Sequence, residues 1–199
     1  LERLEQGELG GRNVSLTFDD GDVSMAEFVL PVLRRRKLSA TFFINTAYLS
    51  RESCYWFPIL SYLLSTNTVM PNVGGPADFE AWITKLRNTN DSGLYGVLRT
   101  KVEALASRVP DLGNRLVSTG WLRSLDGEQF AIGAHGHEHQ RFSMMPVEWQ
   151  RNDLAENVGQ LRAFKAFRPI FAVPFGRKND WTPETIRLAN EQKLRVVLA

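Results

Sequence analysis

One cysteine in 199 residues, Cys54, excludes an intramolecular disulfide and a thiolate metal cluster, and leaves the redox compartment open. Neither sign of charge is in excess. The 24 Lys and Arg stand against 22 Asp and Glu for a formal +2, so no strong field draws the chain onto a nucleic-acid backbone, and no nucleic-acid partner is expected. No stretch reaches the roughly 18 apolar residues that read as a membrane span, so none is expected. The start, Leu1 to Gln6, lacks the features of a signal peptide, which leaves localisation open. Composition is silent on oligomeric state. Histidine is also scarce, and all 3 residues fall between positions 135 and 139.

What is present is ordinary for a packed globular chain: 43% hydrophobic and 23% charged residues. The length suits one domain over 1–199 with a sizeable core. Val14, Leu16 and Phe18 alternate with Ser15 and Thr17, the period of a strand. Met25 to Lys37 reads as a short helix packing Phe28, Val29, Val32 and Leu33 on a sheet, and the basic run Arg34-Arg35-Arg36-Lys37 sits where cations favour a helix end. Ala40 to Ile44 follows as a second strand, Phe130 to Ala134 and Pro169 to Val173 as further strands, and Trp149 to Phe167 as a helix between them. Thr182, Pro183 and Glu184 start a last helix leading to a fifth strand, Leu194 to Leu198. Strands alternating with helices predict a parallel sheet, open or closed into a barrel.

Residues from about 51 to 117 break this rhythm and predict a helical insertion in one crossover. Asp78 caps a helix presenting Phe79, Trp82, Ile83 and Leu86, and Ser92 caps another running to Arg108. The aromatic residues Tyr55, Trp56, Phe57, Phe79 and Trp82 are expected chiefly to bury one another, with lining of a sugar cleft as the other reading.

Two short stretches carry chemistry. Asp19 and Asp20 end the first strand, Asp19 on the polar face with Thr17 and Ser15, Asp20 opening the turn at Gly21. His135 and His139 follow the third strand four residues apart, and a helical or near-helical turn puts both imidazoles on one side. Both motifs lie at the same end of parallel strands, where α/β folds place their sites. Two neutral imidazoles and one carboxylate bind a divalent ion and leave positions for water and substrate, with a second carboxylate beside them. Zinc is the first expectation, with cobalt, nickel and manganese open. A His-Glu-x-x-His helix is absent because position 141 is Arg.

Three ordered motifs resemble one family, the polysaccharide deacetylases with a NodB-homology domain of carbohydrate esterase family 4. They are Thr17-Phe18-Asp19-Asp20-Gly21, His135-Gly136-His137-Glu138-His139 and Ala172-Val173-Pro174-Phe175-Gly176. The resemblance implies a distorted (β/α)7 barrel, Asp19 as general base, and Asp20, His135 and His139 as metal ligands. It also implies the backbone N–H of Phe175 as an oxyanion donor, with Pro174, Phe175 and Gly176 against substrate. The reaction it implies is metal-dependent release of acetate from an N-acetylated glycan or glycan precursor. O-acetyl ester hydrolysis and glycan binding without turnover are the alternatives.

The chain departs from the family pattern twice. Ala172 stands where the third motif carries Arg, so either Arg141 or Arg177 from a neighbouring loop orients Asp19 instead, or Asp19 is tuned without a guanidinium. The family's late Leu-x-His motif, which supplies a general acid, has no counterpart before Ala199. The expectation is a fragment whose barrel is incomplete at the C-terminus.

Overall fold

The computed structural model describes residues 14–49, 56–89, 91–109 and 116–198. Cys54 and Tyr55 lie outside them. The strands are β1 (Leu16–Phe18), β2 (Ala40–Ile44), β3 (Phe130–Ala134), β4 (Phe167–Ala172) and β5 (Val196–Leu198). They pair in parallel in the order of the sequence. Such an order advances the sheet in one direction, as in a barrel wall, whereas a doubly wound sheet reverses at a switch point. Among the described residues β1 and β5 are the two edges and the wall is not closed.

Alternation along the strands gives the sheet two faces. Leu16, Phe18, Ala40, Phe42, Ile44, Phe130, Ile132, Ala134 and Phe171 pack with the crossover helices into the main core. Phe43, Ile170 and Ala172 form a smaller cluster on the opposite face. Gly133 lies between them because a Cβ there would stand 2.4 Å from the Phe43 ring. The first strand is shorter than its alternation predicts. Its register with β2 begins at Leu16 and Ala40, so Val14 runs past the sheet and is 87% exposed.

The first crossover also differs from expectation, for a covalent reason. Proline lacks an N–H, and its ring clashes with the carbonyl four residues back. Pro31 therefore widens the ladder ahead of it into a π-helical turn, Met25–Val29, in which the Leu30 N–H reaches Met25 O. The α-helical part, α1 (Leu30–Arg36), follows. This rotates the apolar face, so that Met25, Leu30 and Leu33 are buried while Phe28 and Val32 are exposed. Arg34, Arg35 and Arg36 occupy the last turn, and Lys37 closes it in the left-handed region.

Between β2 and β3 lie α2 (Trp56–Ser65), α3 (Pro76–Asn88), α4 (Ser92–Glu103) and α5 (Thr119–Arg123). Trp56, Ile59, Leu60, Phe79, Trp82 and Leu86 bury one another in a second cluster, against which Phe175 and Met144 pack. The insertion thus leans on the loops at the C-terminal end of the sheet. Its caps are not those expected. Gly75 caps α3, with Pro76 starting the helix early, and Asp78 in the first turn accepts the Gly75 N–H at 2.9 Å. Asp91, whose carboxylate takes the Leu94 N–H at 3.0 Å, caps α4 in place of Ser92. The helix stops at Glu103, with a short 3-10 turn, Ala106–Arg108, beyond it.

The last crossovers are α6 (Val147–Leu161) and α7 (Pro183–Glu191). α6 begins and ends earlier than its pattern suggests. The Phe164 N–H turns back onto Leu161 O, and Phe167 already belongs to β4. α7 starts as predicted, with Thr182 Oγ1 accepting the Thr185 N–H. No helix among the described residues is long and apolar enough to cross a membrane.

Candidate active site

Each motif singled out in the sequence leaves the sheet at its C-terminal end. β1 stops at Phe18, and Asp20 and Gly21 then take φ of 77° and 72°. Two successive left-handed residues turn the chain sharply, a conformation that Asp tolerates and Gly adopts freely. The turn is tied down by the Val117 N–H, which donates to Gly21 O at 2.8 Å. Thr17, Asp19 and Asp20 face a cavity of about 310 Å³, together with His135, His139 and Phe175.

His135 and His139 meet there, though not through a helical turn. The chain from His135 to Gln140 is irregular, and its close approach depends on positive φ at Gly136 (75°) and His139 (51°). At Gly136 only glycine fits, because a Cβ would lie 2.9 Å from Asp153 Oδ1 and 3.2 Å from the Phe142 ring. The two imidazole centroids are 5.0 Å apart. Asp20 Oδ1 stands 3.0 Å from His135 Nε2 and 2.9 Å from His139 Nε2.

The hydrogen bonding orients these rings. Ala172 O, a carbonyl able only to accept, lies 2.8 Å from His135 Nδ1, so the ring proton sits on Nδ1 and the Nε2 lone pair is turned toward Asp20. The ligand atoms of Asp20, His135 and His139 all lie within 4.8 Å of one another. Lone pairs that converge at this distance require positive charge between them, either protons or a cation. Two buried imidazoles and a carboxylate form a donor set that fits a divalent ion. The electrostatics agree. Burial pushes the Asp20 carboxyl up, but His139 and His135 outweigh it and hold the group well below the usual carboxylate range. Burial pushes His135 down, yet the hydrogen bond and charge of Asp20 leave it raised. In His139 burial prevails and the ring is lowered.

Helix α6 supports the loop from below. Asp153, buried, accepts the N–H groups of His137 at 2.7 Å and Glu138 at 2.9 Å, one on each oxygen. Burial pushes its carboxyl up to about 6 against the pull of those two amides. Asn157, also buried, accepts the His135 N–H at 3.1 Å and donates to Ile44 O at 3.0 Å and Thr46 Oγ1 at 3.1 Å. Residues this polar at core positions of α6, beside Leu154, Val158 and Leu161, are the sequence signal for these supports, and it lies outside the three motifs.

Other expected residues divide. Phe175, with φ of 67°, and Gly176 line the cavity, whereas Pro174 is buried and is not part of the wall. The Phe175 ring stacks on Trp56 at 5.9 Å and meets His139 edge-on at 4.8 Å. His137 turns away, its Nδ1 2.9 Å from Thr46 Oγ1. Neither candidate for the missing arginine stands beside Asp19. Arg141 is buried, with Nε donating to Asp180 Oδ1 at 2.8 Å and a terminal nitrogen to Thr89 O at 2.6 Å. Arg177 is exposed, 3.4 Å from Asn88 Oδ1. The guanidinium in the cavity wall is Arg87 from α3, over the Phe57 ring at 5.0 Å, so of the insertion aromatics Phe57 does reach the site.

Solved structures share this architecture. The deacetylase PplD of Streptococcus pyogenes, in complex with acetate, is 13% identical over 97% of this chain and 58% of its own, with a TM-score of 0.57. The BpsB deacetylase domain from Bordetella bronchiseptica is 16% identical over 98% and 67%, also at 0.57. A pseudoenzyme of carbohydrate esterase family 4 from Bacillus anthracis is 12% identical over 95% and 43%, at 0.52. At these identities the likeness establishes the fold, and the chain spans little more than half of the streptococcal protein. No curated protein matches by sequence. With the strand-end motifs brought to one cavity and the polysaccharide deacetylase family model matching residues 6–197, the chain belongs to the polysaccharide deacetylase family.

Proposed function

We propose that the protein hydrolyses N-acetyl groups on a glycan or glycan precursor, releasing acetate and a free amino sugar. The observation that carries this reading is the convergence of Asp20, His135 and His139 beside Asp19 in one cavity. A divalent cation held by Asp20, His135 and His139, zinc in the first instance, would supply Lewis acidity to the acyl carbonyl and acidify water. Asp19 is exposed on the same wall and takes the proton of the attacking water. The Phe175 N–H, which donates to no acceptor among the described residues, meets the charge that grows on the carbonyl oxygen. Thr17 and Phe43 also line the cavity. The test is acetate release by zinc- or cobalt-supplemented protein from an N-acetylglucosamine oligomer and from acetylated xylan. Acetate and free amine from the first are expected. Acetate from xylan alone moves the assignment to an O-acetyl esterase, and glycan binding without acetate from either moves it to a non-catalytic domain.

Asp153→Asn probes the support of the cation site. An amide side chain turns one acceptor into a donor, which then faces a backbone N–H. The loop between the two histidines should loosen, and divalent-cation affinity should fall by no more than the about 10–100-fold that loss of a ligand's own hydrogen-bond partner costs, because Asp153 holds the amides of His137 and Glu138 and not a ligand itself. Competition with a chromophoric chelator measures this, and an unchanged affinity in a folded variant would remove Asp153 from the site.

A further inference from the structure

Asp19, Asp20 and the two histidines line the cavity together with Arg87 and Phe175. Past Phe175 the wall continues into a second cavity of about 260 Å³ lined by Arg87, Phe175, Arg177 and Asp180, and Arg87 and Phe175 belong to both. The negative charge of Asp180 is spent inside the protein: Oδ1 accepts Arg141 Nε at 2.8 Å, Oδ2 accepts the Arg177 backbone N–H at 3.0 Å, and the side chain is 2% exposed. What the second cavity presents to a ligand is two guanidinium groups. Among the described residues neither is paired with a carboxylate. Arg87 lies over the Phe57 ring, and Arg177 reaches only the neutral Asn88.

We propose that this second cavity is an anion subsite that takes an acidic group, a carboxylate or a phosphate, on the sugar next to the one bearing the acetyl group. The identity of that neighbouring sugar rests on the deacetylase reading above; the anion preference does not. A cation in the last turn of α3 is by itself ordinary for a helix C-terminus, and Arg87 alone carries little. Arg177 arrives from a different segment, the loop between β4 and α7, and faces the same cavity. Contacts of Arg141 with Thr89 and Asp180 hold the end of α3 against that loop, so the spacing of the two arginines is set by buried structure. A guanidinium held over an aromatic ring makes no hydrogen bond to it and keeps N–H groups available, and their fork matches the two oxygens of a carboxylate or phosphate.

The experiment uses the full protein and three synthetic probes: a neutral N-acetylglucosamine oligomer, the same oligomer with a carboxylate on the neighbouring sugar, and one with a phosphate monoester there. Affinity is read by calorimetry and acetate release is read separately. The acidic probes should bind about 10-fold tighter than the neutral one, in line with charge-assisted hydrogen bonds. The preference should shrink at about 0.5 M salt, because both arginines are reached by solvent. In Arg87→Gln/Arg177→Gln it should disappear, and in Arg177→Lys, which keeps the charge but not the fork, it should be partly retained. Whichever acidic probe gains more identifies the group. Equal affinity of wild-type protein for all three probes overturns the subsite, as does a preference that survives in the folded double variant. Because affinity and acetate release are read separately, anion preference without acetate release keeps the subsite and removes the deacetylase reading, and the converse removes the subsite alone.

Discussion

His135→Ala and His139→Ala are each expected to lower affinity for a divalent cation by more than the about 10–100-fold that accompanies loss of an outer hydrogen-bond partner, and hydrolysis should fall with it. Asp19→Asn should leave cation affinity within a few-fold of wild type and still reduce hydrolysis about 10²–10⁴-fold, the range for a positioned acid or base. The contrast follows from geometry. The imidazoles are buried, and each directs Nε2 toward Asp20 Oδ1, so removing one takes away a third of the donor set. Asp19 lines the same cavity outside that set, and Asn there keeps the shape while losing the ability to accept a proton. Cation titration and acetate release on the same preparations separate the two effects. Wild-type hydrolysis by Asp19→Asn would transfer the base to another residue, and wild-type cation affinity in both histidine variants would dissolve the proposed metal site.

Arg141→Ala is expected to cost about 3–5 kcal/mol of stability, the range for breaking a buried ion pair by removing one partner, which is a fall in Tm on the order of 10 °C for a chain of this size. Arg141 and Asp180 are 3% and 2% exposed. Without the guanidinium, Asp180 is left as a buried charge whose remaining side-chain contact is the Arg177 N–H, and Thr89 O loses its donor. The loss also unfastens three segments around the cavity: the loop after β3, the loop after β4 and the end of α3. Thermal or denaturant unfolding measures it, and Arg141→Lys should recover only part. The sequence suggested a different role, a guanidinium orienting Asp19. A variant with unchanged Tm and a displaced acid limb in its pH–rate profile would restore that role and sink the structural one.

The strands and the motifs at their ends were legible because their causes are local. β2 and β3 are short apolar runs rich in aromatic or branched residues, and those strands span the residues of the runs, Ala40–Ile44 and Phe130–Ala134. Asp20 and Gly21 announce a turn by their own tolerance of positive φ. Pro31 is also a local cause, but its effect falls on the turn before it: it widens that turn and moves the buried face from Phe28 and Val32 to Leu30. The supports of the site were harder to see, since Asp153 serves amides 16 and 15 residues away and Asn157 serves Ile44 from 113 residues along the chain.

The sequence alone therefore determined the donor types, their order and their position at strand ends, since each depends on covalent identity and nearest neighbours. Only the tertiary structure decided that His135 and His139 meet through an irregular loop with glycine at 136, that Arg141 is consumed by Asp180, and that Arg87 enters the cavity. Those outcomes depend on which distant segment packs against which. A guanidinium has the same chemistry wherever it stands in the chain, and only the packing of α3 and the loop after β4 against the sheet sorts Arg141 into the interior and Arg87 to the cavity wall.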